Sequence, residues 1–157
     1  MYFIYVCSCT HLQLGDEHIC SPYLSHMIFK YTTDINFKTF ASEADVLGSL
    51  LDNVGGICHT TVVPFTCNIV FVPCNLTTGA PIPVCSNTCS SFKSSCTNSY
   101  DVLAAFSKFY GYPFTRNCEN TLSHLNTDYG YLNSSSDFKD NCFSLPGMSS
   151  FDCNNVY

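Results

Sequence analysis

Three cysteines lie close together in the stretch VCSNTCSSFKSSC, residues 84–96, at Cys85, Cys89 and Cys96. Each residue of an α-helix advances by about 100°, so steps of four and eleven residues return to nearly the same side. Phe92 falls on that stripe too, and the pattern predicts a helix whose buried face carries three thiols. Buried cysteines act as metal ligands, as apolar packing groups or as halves of disulfides, and the spacing alone leaves all three open.

The other cysteines narrow the choice, because 12 of them are spread through the 157 residues. Structural zinc sites usually show two close cysteine pairs or a histidine pair spaced i, i+4, and the sequence has neither. An even number of dispersed cysteines instead indicates disulfides formed in an oxidising compartment. The motifs NLT at Asn75 and NSS at Asn133 are candidate N-glycosylation sites, which agrees with that compartment. We expect an extracellular or cell-surface protein with no metal and no cofactor.

The charge pattern excludes several kinds of partner. The net charge is −6, and the six Lys and Arg residues are never adjacent, so no basic patch is available for nucleic acid or an anionic membrane surface. Because no run of 18 apolar residues occurs, we expect membrane attachment only through a part outside this chain. The opening MYFIYVCSCT has no basic start and only six residues before Cys7, and residues 1–8 are interpreted as the remnant of a truncated secretory signal.

Residue types suited to catalysis are present, but not in the patterns that catalysis needs. Cysteines in an oxidising compartment are more readily explained as disulfide halves than as nucleophiles. No G-x-S-x-G elbow and no phosphate-binding loop occur. The GDEH motif at 15–18 has the residue types for a cation site, yet a solvated loop explains it better. We predict that the chain is not an enzyme.

Local patterns predict the elements that hold the cysteines. SEADVLGSLLDNVGG at 42–56 is predicted as a helix capped by Ser42, with Asp45 at the capping-box position and Gly55 or Gly56 at its end. HTTVVPFTCNIVFVPC at 59–74 is rich in β-branched and aromatic residues and carries two prolines, so short irregular or edge strands are predicted there. Residues 21–40 are predicted to be mostly loop with a short strand.

A second helical region follows the turn formers of NLTTGAPIP at 75–83. It is predicted to begin near Ser86, to break at TNS, residues 97–99, and to resume until Gly111 and Pro113 stop it. Beyond Cys118 the chain turns polar and is predicted to be loop. The length fits one domain with a modest core, and no internal repeat is visible.

The order of these features resembles that of the Frizzled-type cysteine-rich domain, which is found in Frizzled receptors, secreted Frizzled-related proteins and Smoothened. The spacing Cys58-x8-Cys67-x6-Cys74, followed by Cys85-x3-Cys89-x6-Cys96, is similar to that of the family. PIPVC at 81–85 and KFYGYPFTRNCEN at 108–120 also match the family's segments before its sixth and ninth cysteines. The resemblance covers residues 9–142 and leaves 143–157 as a C-terminal extension or linker.

The resemblance implies a disulfide pattern. Carried onto this chain, the five family pairs are Cys9–Cys74, Cys20–Cys67, Cys58–Cys96, Cys85–Cys142 and Cys89–Cys118. Cys7 and Cys153 remain, and we expect them to pair with each other if both are retained.

The resemblance also implies a fold and a function. The fold is mainly α and disulfide-rich, with about four helices and short β-strands, and an apolar groove between helices binds a lipidated protein ligand of the Wnt type, or a sterol or fatty acid. Three alternatives remain open: a receptor ectodomain, a secreted ligand-sequestering protein, and a structural or adhesive domain without a small-molecule ligand. The residues of this chain at the positions of the family's groove are Leu47, Leu50, Leu51, Val54, Phe106, Tyr110, Tyr112 and Phe114.

Overall fold

The computed structural model describes residues 9–11, 13–24, 28–29, 36–54, 58–77, 79–118 and 142–143. These residues form two short strands, β1 (Cys9–Thr10) and β2 (Ile28–Phe29), which pair antiparallel with Cys9 opposite Phe29. They also form four α-helices: α1 (Phe37–Val54), α2 (His59–Val70), α3 (Ser86–Ser95) and α4 (Thr97–Tyr110). The architecture is therefore mainly α with a minimal sheet, as the sequence predicts. Within the described ranges, no helix is both long enough and apolar enough to cross a bilayer.

Helix α1 begins six residues earlier than the sequence pattern predicts, since its N-cap is Asn36 rather than Ser42. The Asn36 side chain accepts hydrogen bonds from the backbone N–H groups of Lys38 (3.0 Å) and Thr39 (3.3 Å), so Asn36 is the N-cap. The predicted cap at Ser42 is wrong, because this exposed residue lies inside the helix. Asp45 does not complete a capping box either. Its carboxylate accepts a hydrogen bond from the backbone N–H of Ile19, 2.8 Å away, and so holds a loop rather than a helix end.

Helix α2 replaces the short strands predicted for residues 59–74, and that prediction is wrong over 59–70. The segment is buried on several sides and is apolar along most of its length. Its sequence therefore shows neither the alternation of a strand nor the 3.6-residue period of a helix. Pro64 lies inside the helix and removes one backbone donor, yet burial of Val62, Phe65 and Ile69, each fully inaccessible, outweighs that loss.

Helices α3 and α4 follow one another with a break at Cys96, one residue before the predicted break at 97–99. Cys85 precedes α3 and Cys96 follows it, while Cys89 and Phe92 are buried between them, so the stripe does face the core. Helix α4 ends at Gly111, whose φ of 72° is in the left-handed region that favours glycine. The backbone N–H of Tyr112 then bonds the carbonyl of Ser107 at 3.0 Å, which closes the helix end.

The core lies where α1 and α2 pack against each other and where α2 meets α3. Phe65 and Phe92 stack there with ring centroids 3.9 Å apart and an angle of 8°. The described residues include five disulfides around this core, and they are the five pairs that the resemblance implies: Cys9–Cys74, Cys20–Cys67, Cys58–Cys96, Cys85–Cys142 and Cys89–Cys118. Cys7 and Cys153 lie outside the described residues.

Candidate ligand-binding surface

A ladder of aromatic rings leads from the core to the C-terminal end of α4. Phe40 of α1 is buried and contacts the ring of Tyr112 edge-to-face, with centroids 4.9 Å apart. Tyr112 stacks against Tyr110 at 5.9 Å, and Tyr110 contacts Phe106 at 4.4 Å. Exposure increases from the buried Phe40 through the half-buried Tyr112 to Tyr110, which is 42% exposed, and the half-buried Phe106 lies beside Tyr110. The ladder thus brings residues from α4 and from the segment after it into one apolar surface.

The segment after α4 is held firmly against the rest of the fold. The hydroxyl of Tyr112 donates a hydrogen bond to the Glu43 carboxylate of α1. The buried side chain of Asn117 donates to the carbonyl of Ile69 in α2 at 2.7 Å, and the Cys89–Cys118 disulfide ties the same segment to α3. Bonds to three helices therefore hold the segment that begins at Tyr112 and ends at Cys118.

The residues at the predicted groove positions divide into two groups. Leu47 and Leu51 have no accessible surface and Phe114 is 1% exposed, so these three belong to the core and offer no surface to a ligand in this conformation. The residues that remain accessible are Leu50, Phe106, Tyr110 and Tyr112. The backbone of Val54 ends α1, but its side chain lies outside what the structure describes.

Leu50 lies on the side of α1 that carries Glu43. The two residues are seven positions apart, about two helical turns, and therefore share a face. Since Glu43 contacts the segment after α4 and α1 packs against α4, the 47% exposed Leu50 borders the same region.

Sequence reasoning missed Phe109, which is 81% exposed and contacts Tyr110 with ring centroids 4.9 Å apart. Phe109 lies three positions after Phe106, and residues at this spacing are neighbours on one helix face. Two adjacent aromatic residues just before a helix-ending glycine are the signal that could have found it. We call Leu50, Phe106, Phe109, Tyr110 and Tyr112 together the α1–α4 surface.

Within the GDEH motif, His18 attaches the loop to α1. The Nε2 atom of His18 lies 2.7 Å from the carbonyl oxygen of Ala41, and its Nδ1 accepts a hydrogen bond from the backbone N–H of Cys20 at 3.0 Å. Both ring nitrogens are therefore engaged, and Asp16 and Glu17 are exposed. Within the described ranges, no three metal-ligating side chains come together.

The two candidate glycosylation sites differ in what the structure describes. Asn75 is half-buried, and its side-chain oxygen accepts a hydrogen bond from the backbone N–H of Thr77 at 2.9 Å. Asn133 lies outside the described residues. Attachment of glycans at both sites stays a prediction.

Comparison with protein families shows that the family model of the Fz domain, the Frizzled cysteine-rich domain, matches residues 8–128. The match covers more than half of the chain. The chain belongs to the Fz domain family. It is therefore a cysteine-rich extracellular module of the Frizzled type, a class whose members bind ligands of the Wnt type and are not known as enzymes. Comparison with curated proteins and with solved structures finds no match.

Proposed function

We propose that this Fz domain is the extracellular ligand-binding module of a Frizzled- or Smoothened-like receptor. Its ligand is a lipidated protein of the Wnt type, or a free fatty acid or sterol, and the apolar part of that ligand lies along the α1–α4 surface. The observation that carries the proposal is the exposure of apolar and aromatic side chains from two helices in one region, next to an ordered aromatic ladder.

The physical chemistry of an acyl chain or sterol fits such a surface. Burial of apolar groups stabilises a complex by about 0.8 kcal/mol for each CH2 removed from water. Large aromatic side chains provide much of the apolar contact area at recognition sites, and contiguous exposed apolar patches mark interaction sites. Leu50, Tyr110 and Phe109 are 47%, 42% and 81% exposed, so a ligand would remove much apolar area from water here.

The surface is also ordered before a ligand arrives, which favours binding. A site whose side chains are already fixed loses less conformational entropy when the ligand arrives. Tyr112 is fixed by its bond to Glu43, and the neighbouring Asn117 and Cys118 are bonded to α2 and α3. The disulfides supply this rigidity in a small domain, each typically worth about 2 to 4 kcal/mol.

Two other functions use the same fold. A secreted form that sequesters the ligand would share the surface and differ only in what lies beyond this chain. A structural or adhesive domain would not need an ordered apolar surface, and the exposure of Phe109 and Leu50 favours ligand binding over that alternative.

The proposal is tested by titrating the oxidised full chain with a fluorescent long-chain fatty acid and, separately, with a fluorescent cholesterol analogue. The Leu50→Asp and Phe106→Asp variants place a charge within the proposed contact, and each is expected to weaken binding by about tenfold or more. Leu76→Asp is the matched control, since Leu76 is also an exposed aliphatic residue, at 61%, in the turn after Cys74.

Peptide mapping of the disulfides in each variant separates a binding defect from misfolding. Wild-type-like binding by both the Leu50 and the Phe106 variant would remove the α1–α4 surface as the binding site. If the wild-type protein binds neither probe, the structural alternative is favoured.

A further inference from the structure

A second cleft lies on the other side of α1. It has a volume of about 660 Å³ and separates the loop at residues 13–18 from the first half of α1. Ala41, which lines the cleft, and Leu50 of the α1–α4 surface are nine residues apart. Nine residues are about two and a half helical turns, so these two side chains leave α1 in opposite directions. Val46 also lines the cleft and precedes Leu50 by one helical turn, so the cleft adjoins the α1–α4 surface there, while its centre lies on the other side of α1.

The walls of this cleft are fixed by several bonds. His18 bonds the carbonyl of Ala41, and the backbone N–H of Ile19 donates to Asp45. Immediately after them, Cys20 is joined to α2 through Cys67. A volume of about 660 Å³ falls within the range of about 300 to 1,000 Å³ that is typical of ligand sites.

The chemistry of the lining is mixed. Leu14 and Phe37 are half-buried and Val46 is 63% exposed, so they give the cleft an apolar lining with surface left to cover. Two carboxylates, Glu17 and Asp45, stand at its edge.

The local charge favours a cationic partner. The exposed Asp16 follows Gly15 of the lining, which adds a third acidic group to the region. Among the described residues that line the cleft, Glu17 and Asp45 outnumber the one Lys or Arg, Lys38, two to one. The net charge of −6 on the chain adds a long-range attraction for cations.

We infer that this cleft docks a basic, partly apolar peptide segment of a protein partner, with its aliphatic side chain on the lining and its Arg or Lys beside Glu17 and Asp45. An apolar contact flanked by complementary charges is the usual anatomy of a protein interface. Docking in the cleft does not depend on lipid binding at the α1–α4 surface.

The test uses the 15N-labelled, oxidised full chain and three short peptides. They are acetyl-Leu-Arg-Leu-amide, its neutral analogue with Gln and its acidic analogue with Glu. Two-dimensional NMR is expected to show that the basic peptide shifts the amide signals of Gly15, Glu17 and Ala41 in a saturable way. The neutral peptide should bind about threefold or more weakly, and the acidic peptide more weakly still.

Charge-removing variants then test the site. In the Glu17→Gln/Asp45→Asn double variant, the new amide side chain at position 45 keeps an oxygen that accepts the Ile19 N–H, so the loop stays attached while two charges are lost. This variant should bind the basic peptide about tenfold more weakly. Asp101→Asn, on the exposed side of α4, is the matched control and should bind like the wild-type protein.

Three results would overturn the inference. One is binding of the acidic peptide as tight as that of the basic peptide. Another is an unchanged Kd in the double variant. The third is a set of shifts confined to residues 106–112, or no shifts at all. Fatty-acid binding can succeed or fail without changing any of these results.

Discussion

The hydroxyl of Tyr112 donates a hydrogen bond to the carboxylate of Glu43, 69 residues away in the sequence. This bond joins α1 to the segment after α4, the two parts of the chain that border the α1–α4 surface. The ring of Tyr112 continues the contact inward to Phe40 and outward to Tyr110. One side chain thus connects the core of the Fz domain with its proposed ligand surface.

The Tyr112→Phe substitution tests this connection, because it removes the hydroxyl and keeps the ring. A hydrogen bond to a charged group that is only partly buried is worth about 1 to 2 kcal/mol, and the free energy of unfolding should fall by that amount. Urea denaturation of the oxidised protein measures it. Tyr23→Phe, at a 42% exposed tyrosine, is the control and should change stability by less than about 0.5 kcal/mol. Equal stability of the Tyr112 variant and the wild-type protein would show that the bond contributes nothing.

The start of α1 can be located by replacing each of the two candidate N-cap residues, Asn36 and Ser42, with alanine. Asn36→Ala removes the acceptor of the Lys38 and Thr39 N–H groups and should destabilise the protein by about 1 kcal/mol. Ser42→Ala should be neutral or slightly stabilising, since Ser42 lies inside the helix and alanine is the better helix former. Thermal denaturation followed by circular dichroism compares the two. A larger loss from Ser42→Ala than from Asn36→Ala would move the start of the helix to Ser42.

Gly48 lies inside α1, where the loop that carries Ile19 leaves no room for a side chain. A Cβ at position 48 would lie 2.5 Å from Cγ2 of Ile19, closer than van der Waals contact allows. Ile19 cannot easily move away, because its N–H is bonded to Asp45 and its neighbour Cys20 is in a disulfide.

Gly48→Ala should therefore destabilise the protein by about 1 to 3 kcal/mol, although alanine favours a helix by about 1 kcal/mol over glycine. The double variant Gly48→Ala/Ile19→Ala removes the clash and should lose less stability than the sum of the two single variants. Stability gained in the single variant, measured by urea denaturation, would contradict the close approach of loop and helix.

Phe40, at the buried end of the aromatic ladder, and Phe109, which contacts Tyr110 of the ladder, should respond differently to truncation. Phe40 is 1% exposed and contacts Phe71 and Tyr112 edge-to-face, so Phe40→Ala should cost about 3 to 5 kcal/mol. Phe109 is 81% exposed, and Phe109→Ala should leave stability nearly unchanged while weakening fatty-acid binding. Calorimetry of unfolding and the fatty-acid titration measure the two effects separately. A stability loss of several kcal/mol at Phe109 would mean that it is a packing residue instead.

Patterns that depend on spacing predicted the structure well. The stripe at Cys85, Cys89, Phe92 and Cys96 does face the core, and Gly111 does end α4, because helical period and left-handed caps are local properties. The five disulfide pairs could be stated only through the resemblance to the Frizzled type, since no local rule chooses among so many pairings.

Patterns that depend on tertiary contacts were predicted poorly. Residues 59–70 carry β-branched side chains and a proline, but burial in α2 decides their conformation. Asp45 had the right position for a capping box, yet its partner is Ile19 in a distant loop. Leu47, Leu51 and Phe114 could not be separated from Leu50 and Tyr110, because the sequence does not show which apolar residue of a helix is covered by a neighbouring element.

Photo-crosslinking tests the central claim most directly. A long-chain fatty acid with a photoreactive group is bound to the oxidised full chain, irradiated, and located by mass spectrometry of the peptides. The account predicts saturable labelling at Leu50 and within residues 106–112, prevented by an excess of unlabelled fatty acid and lost in Phe106→Asp. Labelling elsewhere, or labelling that the unlabelled fatty acid does not prevent, would contradict a lipid-binding role for the α1–α4 surface.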